Sequence, residues 1–385
     1  MQSDYSPDFR DYVEDYWDIV LGILAAIAAY YMHHTHHDYL ATLSAALSIV
    51  ALSVTISEVA EILAERMGEP YGSFVLTFSA VAVEIVLLFM ILTAGGHSAT
   101  PQTLNTVKSG IISAVIVDMN VLLGFAVFVG GLAFSEQEHN EDTSSTYTTI
   151  LFISSIALLV PSLLAFTPDG NTKLMKASII ISTMLFLYYI TIYIFQTKTH
   201  SHFFKSTARS RILRLKKRKK LAEDEEHEDD YLFEKLPNWV NFIAMFVLIF
   251  GVGIMAEVFA HDSQAVFSDL GINAGLAGLI IAIISVSPEL ITAVKAAKND
   301  QIQRVINIAM GASTVSILIT VPALMALSYF NHIPFTLDFN ALQIGALLLT
   351  IILAWKTTDN GETNYIEGVS HLMFFASYAV IAALY

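Results

Sequence analysis

The stretch MGEPYGSFVLTFSAVAVEIVLL, Met67 to Leu88, opens on a Gly-Glu-Pro-Tyr-Gly turn and continues as apolar sequence interrupted by one carboxylate, Glu84. The meaning of that glutamate depends on the solvent around it. Of the 385 residues, 55% are hydrophobic and 14% charged, whereas a soluble domain carries about 25% charged residues. The deficit assigns the chain to the membrane class. Glu84 is therefore a polar group set in a segment suited to hydrocarbon.

Working outward, eleven apolar runs approach or exceed the roughly 20 residues that a helix needs to cross a bilayer. They run over Trp17–Met32, Tyr39–Leu63, Tyr71–Ala94, Val107–Phe134, Tyr147–Phe166 and Met175–Gln196, then Trp239–Ala260, Gly271–Val294, Ile302–Phe330, Ala341–Trp355 and Ile366–Tyr385. The runs are continuous rather than alternating, so helices are expected and not barrel strands. The acidic start, MQSDYSPDFRDYVEDYW, lacks the basic region and small-residue cleavage site of a secretory signal, which predicts that the first run is retained as a span. There are no cysteines, which excludes disulfides, thiolate metal sites and cysteine nucleophiles.

Lys and Arg are enriched in cytoplasmic loops. With the loop between spans six and seven placed inside, 17 of the 20 Lys and Arg fall on the cytoplasmic side, and only Lys108, Lys173 and Lys176 fall outside. The N-terminus is then cytoplasmic and the C-terminus, after eleven spans, external. Ten of the basic residues lie between Lys198 and Lys220, so the net charge of −15 resides elsewhere, chiefly in the N-terminal tail, in EQEHNED at Glu136 to Asp142 and in AEDEEHEDD at Ala222 to Asp230. A basic segment beside a membrane implies topology and anionic lipid, and gives no reason to expect nucleic acid.

The charged loop at 198–237 divides the chain. A cytoplasmic tail and first span occupy 1–38, a first set of five spans 39–197, and a second set 238–385. The third span carries Ala80-Val81-Ala82-Val83-Glu84 and the eighth Ser285-Val286-Ser287-Pro288-Glu289. Each reads small residue, Val, two residues, Glu, about thirteen residues into its run. Spans five apart cross in opposite directions, so the pattern predicts an inverted repeat, with Glu84 and Glu289 brought together near the midplane. The expected fold is an all-α polytopic membrane protein of about eleven helices, one N-terminal helix plus two inverted five-helix repeats.

Holding a carboxylate in a bilayer costs on the order of 2.5 to 3.5 kcal/mol even on lenient scales, and two at matched depth suggest a cation site. Calcium takes 6 to 8 oxygen ligands, to which carboxylates and carbonyls contribute. Pro288 frees a carbonyl near Ile284; Ser285 and Thr292 share a face with Glu289, and Thr77 lies two turns before Glu84. Asn120 and Ser313 are further candidate ligands, from VIVDMNVLLGF and INIAMGASTVSIL, which also carry Asp118, Asn307, Thr314 and Ser316. Asp118 fits either a ligand or a proton-relay or structural role. Gly311 and Ala312 fit close helix packing. Protons compete with metal for two close carboxylates, and competition at one site opened alternately to each side is antiport.

Glu58, Glu61 and Glu65 share a face near the inner end of span two, where they line an entrance or reach headgroup water. Glu257 and His261 stand toward the outer end of span seven, at a candidate outer entrance. The run His33-His34-Thr35-His36-His37-Asp38 invites a metal reading but falls in a short external turn. Glu225 and Glu226, within seven carboxylates over Leu221 to Asp230, are candidates for calcium sensing or simply a solvated face. No His-Glu-x-x-His motif occurs and no histidine neighbours the midplane serines, so an intramembrane hydrolase is not expected.

GEPYGSFVLTFSAVAVE and SVSPELITAVKAAKNDQIQRVINIAMGA resemble the two alpha-repeats of the calcium/cation antiporter superfamily. QTKTH at Gln196 to His200 and GETNYIEGVSHLMFFASYA near the C-terminus are similar to its bacterial ChaA-type calcium/sodium–proton antiporters. The family's frequent Gly-Asn before each acidic motif is here Ala80-Val81 and Ser285-Val286. The resemblance implies proton-driven export of calcium, with sodium or potassium as further substrates, metal binding by Glu84 and Glu289, no cofactor, no enzymatic activity and a bacterial inner membrane. A sodium/proton or potassium/proton antiporter, or a sodium/calcium exchanger, is the alternative within transport.

Overall fold

The computed structural model describes residues 9–68, 71–94, 99–167, 170–204 and 231–384. Among them, eleven helices are long and apolar enough to span a membrane. They are α1 (Tyr16–His34), α2 (Asp38–Met67), α3 (Phe74–Thr93), α4 (Pro101–Ala133), α5 (Glu141–Leu164), α6 (Lys173–Thr199), α7 (Asn238–Asp269), α8 (Ala274–Ala297), α9 (Ile302–Phe330), α10 (Ala341–Thr358) and α11 (Tyr365–Leu384). The expected all-α membrane fold is thus present, and the runs read from the sequence coincide with these helices to within six residues at each end, except that α7 continues nine residues past the expected Ala260. The basic and acidic stretches of the charged loop, Glu225 and Glu226 included, lie outside the described residues, as do residues 1–8 and Glu69-Pro70 of the first repeat's turn.

Helix starts follow local chemistry. The side chains of Thr100, Asn140, Asn273 and Asn340 accept backbone N–H bonds in the first turns of α4, α5, α8 and α10, satisfying donors that the helix itself leaves unpaired. Asn340 and Gln343 complete a reciprocal capping box. A two-stranded antiparallel ribbon, β1 (Glu136–Glu138) with β2 (Glu362–Asn364), ties the α4–α5 connection to the α10–α11 connection, Gln137 standing opposite Thr363.

Burial sorts the bundle. The most apolar window of α4 is 83% buried, against 22% for those of α1, α6 and α11, so α4 runs through the protein interior while those three present mostly apolar flanks outward. Small residues permit the closest crossings. A Cβ at Gly278 of α8 would lie 2.5 Å from the backbone nitrogen of Gly110 in α4, and one at Gly368 of α11 would lie 2.4 Å from the nitrogen of Phe128 in α4. Between such helices packing, rather than any hydrophobic difference from lipid, drives association.

Among the described residues three helices are locally underwound into a π turn, α6 at Phe195–Thr199 and the pair α4 and α9. A π-helical segment occupies Asp118–Leu122 in α4 and another Ser316–Thr320 in α9. These helices are five spans apart, as the expected repeat requires of corresponding elements. The extra residue in each segment turns the side chains before and after it onto different faces. α8 remains continuous through Pro288, where the ring removes one backbone donor beside Glu289.

Candidate functional site

Glu84 in α3, Asp118 in α4 and Glu289 in α8 line one cavity of about 610 Å³. Glu84 and Asp118 are buried, the latter 1% exposed. The hydroxyls of Ser316 and Thr320, from the π segment of α9, both donate to Glu84 Oε2, at 2.9 and 2.8 Å. Ser313, one turn earlier, donates to Asp118 Oδ2 at 3.1 Å. The other oxygen of each carboxylate, Glu84 Oε1 and Asp118 Oδ1, and Oε2 of Glu289 are buried without a hydrogen-bond partner among the described residues.

Unpaired buried carboxylate oxygens are costly unless something meets them. Three carboxylates lining one space supply hard oxygen donors suited to a calcium or sodium ion or to protons. Ser285, Thr292, Thr77, Thr314 and Ser316 also line the cavity and add neutral oxygens.

The cavity has a direction. From the carboxylates it runs past Tyr189, Tyr193 and Gln196 of α6 to Glu61 of α2, Arg304 and Asn307 of α9 and Phe204, all at the end of the bundle that carries the charged loop. Arg304 forms an ion pair with Glu61 there, both side chains partly exposed. The opposite end is filled. Lys108 binds Asp338 at 2.6 Å, and the segment after α9 is buried at Ile333, Phe335, Leu337 and Phe339. Ser178 and Ser162 side chains accept the N–H groups of Leu337 and Phe339 at 2.9 and 2.8 Å.

The sodium/calcium exchanger protein family model matches residues 19–198 and 240–384. The chain belongs to that family. It is 25% identical over 342 residues to a Ca(2+)/H(+) antiporter of Synechocystis sp., covering 88% of each chain. It is 25% identical over 341 residues, 87% of each chain, to the sodium-potassium/proton antiporter ChaA of Escherichia coli. Its fold is similar to that of native YfkE, with a TM-score of 0.77 at 19% identity, covering 96% of this chain and all of that one. The ChaA-type resemblance read from the two motifs is therefore upheld, and the molecule is an integral membrane protein.

Of the residues singled out as ligands, Glu84, Glu289 and Ser285 meet at the cavity, and Asn120 and Ser313 do not line it. Both of the latter are fully buried. Asn120 Oδ1 accepts from His371 Nδ1 at 2.9 Å, and its amide nitrogen donates to Thr350 Oγ1 and to the Ile116 carbonyl, each at 3.0 Å. His371 Nε2 in turn meets Thr357 Oγ1 at 3.0 Å. Residues two apart on a helix point roughly 200° apart, so with Asp118 on the cavity Asn120 faces α10 and α11. Ser313 stands behind Asp118 and orients it.

The entrance candidates separate as well. Glu61 is at the mouth. Glu58 instead accepts from Tyr231 Oη at 3.0 Å; burial, then the charge of Glu58, holds the phenol of Tyr231 well above its ordinary ionisation range, so it stays a donor. Glu65 and Glu257 are exposed and off the cavity lining. Thr320, Tyr189, Tyr193 and Arg304 were not singled out beforehand. For Thr320 one signal existed, its spacing of four from Ser316 on the same helix.

Proposed function

We propose that this protein is a secondary cation/proton antiporter that exports calcium in exchange for protons, with Glu84 and Glu289 as the paired ligands and Asp118 as a third carboxylate of the same site. The observation that carries this reading is the convergence of three carboxylates, each with an unpartnered oxygen, on one cavity. Two such groups neutralise a divalent ion, and the same groups accept protons once it leaves. The calcium/proton exchange named for the Synechocystis relative accords with that chemistry.

The cavity opens toward the charged loop, which the Lys/Arg bias places in the cytoplasm. We take this as the inward-facing arm of an alternating-access cycle, with five-helix units 39–197 and 238–385 rocking about the site. On this reading the N-terminus is cytoplasmic, the C-terminus external, and the membrane a bacterial inner membrane. Cations and lipid are then its partners.

A second reading, exchange of sodium or potassium for protons, is favoured by the equal identity to a relative named for those ions. A sodium/calcium exchanger is a third. Calcium uptake into inside-out vesicles, acid inside, separates them. Uptake without sodium that a protonophore abolishes supports the proposal. Sodium or potassium movement under the same gradient, with no calcium uptake, moves the substrate to a monovalent ion. Calcium uptake that needs an opposing sodium gradient makes it an exchanger of the third kind.

A further inference from the structure

At the other end of the bundle, two imidazoles converge on a buried carboxylate. His33 Nδ1, in the last turn of α1, lies 2.9 Å from both oxygens of Asp262 in α7, and His261 Nδ1 lies 2.8 Å from Oδ1. The rings of His33 and His261 are 5.3 Å apart and nearly perpendicular. The three ligand atoms lie within 4.8 Å of one another. Asp262 is 3% exposed, while His33 and His261 side chains are 30% and 72% exposed, so the cluster is buried at its centre and open at one edge.

Depth places it in water's reach. Asp262 is 24 residues beyond Asn238, where α7 begins beside the charged loop. At about 1.5 Å per residue the two are roughly 36 Å apart, more than the hydrocarbon thickness of about 30 Å. Ions on the far side of the membrane therefore meet the cluster without entering the bilayer or the transport cavity.

We propose that His33, His261 and Asp262 form a binding site for zinc, or a transition ion of like preference, which clamps α1 to α7. Two imidazole nitrogens and one carboxylate oxygen are the donor set of a three-ligand zinc site, with water in the fourth position. Ligand atoms around a tetrahedral zinc stand about 3.3 Å apart, given bonds of about 2.0–2.1 Å. The present spacings of 2.8 and 2.9 Å between each imidazole and the carboxylate are those of shared protons, which the metal would replace, all three ligand atoms already lying within 4.8 Å of one another. A carboxylate buried for structural reasons needs donors, but not two imidazoles from separate helices presenting the same nitrogen at an open edge. Of the histidine run His33 to His37, only His33 joins the cluster.

The clamp has consequences because α1 joins the bundle chiefly through two helices. It packs on α2 and α7, and α7 packs in turn on α3, which carries Glu84. Zinc bound across α1 and α7 would stiffen the layer beside the transport site.

The test uses the full chain in detergent, without a polyhistidine tag, carrying Glu84→Gln and Glu289→Gln so that zinc has no place at the cavity carboxylates. Calorimetric titration with zinc chloride should give one equivalent. Adding His33→Ala and His261→Ala should weaken binding at least about tenfold, since even outer-shell changes at metal sites cost that much, whereas His34→Ala, His36→Ala and His37→Ala should not. Zinc should also raise the melting temperature of the same Glu84→Gln, Glu289→Gln chain, and adding His261→Ala, an exposed side chain, should abolish the rise. No binding, binding indifferent to His33 and His261, or a rise that survives His261→Ala would each overturn the proposal.

Discussion

Replacing Glu84 by glutamine changes the charge and little else. Its Oε2 accepts the Ser316 and Thr320 hydroxyls, and an amide oxygen can accept both, while the amide nitrogen takes the place of Oε1, which has no partner among the described residues. The packing survives and no ion is held in a low-dielectric interior, so the melting temperature should stay level or rise. Ion binding behaves otherwise. At a calcium–oxygen distance of about 2.4 Å and an effective dielectric of about 20, one carboxylate charge attracts a divalent ion by about 14 kcal/mol before desolvation. Most of that is offset by water given up, yet a remainder of one tenth, about 1.4 kcal/mol, is a factor of ten in affinity. Calcium uptake by inside-out vesicles should therefore fall at least about tenfold in Glu84→Gln, and likewise in Glu289→Gln. Wild-type uptake at matched expression would refute the site, and a Glu84→Gln chain that unfolds in detergent would show the carboxylate to be structural.

Glu61→Gln removes the acid of an exposed pair and leaves Arg304 as an unopposed cation at the mouth; stability should change by less than about 1 kcal/mol while half-saturation for cations rises, and a lowered maximal rate at unchanged half-saturation would remove its entrance role. Gly278→Ala puts a methyl against the Gly110 backbone, and the α4–α8 separation it forces should cost about 1–3 kcal/mol in thermal unfolding. His371→Ala strips a partner from Asn120 and Thr357, with an expected loss of about 2–5 kcal/mol that His371→Gln should partly restore. His139, in the α4–α5 connection, is held by burial below its ordinary ionisation range, opposed by its bond to the Thr358 carbonyl. The unfolded chain therefore takes up a proton that the folded chain resists, so this residue's contribution to stability is present above about pH 6.5 and is lost as pH falls below it. A His139→Gln chain should show a flatter loss of melting temperature on acidification, and an unchanged slope would exclude His139 as its source.

The eleven spans were legible because membrane crossing leaves one strong signal, long apolar runs, and because a charge placed in such a run stands out against it. Glu84 and Glu289 were legible for the same reason, reinforced by a shared pattern five spans apart. The hydroxyls that hold Glu84 were harder to read. Ser316 was visible as a polar residue and Thr320 stands four residues on, on the same helical face, but no local pattern says that this face meets the carboxylate of Glu84. Asn120 illustrates the same limit from the other side. It lies two residues from Asp118, and helical geometry alone forbids both side chains from facing one cavity; polarity drew it into the ligand set, and periodicity would have excluded it.

The π segments of α4 and α9 also bear on how such a site can work. Each begins at a polar residue, Asp118 in α4 and Ser316 in α9, and each supplies a group that either is a cavity carboxylate or binds one. A π turn carries one extra residue within an α-helix and recurs at functional sites; relaxation to regular α-helix would rotate the residues that follow. Relaxation in α9 would withdraw Thr320 and Ser316 from Glu84 and free a second oxygen for a cation. Hydroxyl bonding and metal ligation would then be alternative states of one carboxylate, selected by the winding of the neighbouring helix. If so, Thr320→Val, which deletes one hydroxyl from a fully buried position while keeping its volume, should slow exchange less than Glu84→Gln but alter the ratio of calcium to proton affinity. Proton competition curves for calcium uptake that superimpose on wild type would show that the α9 hydroxyls only fill space.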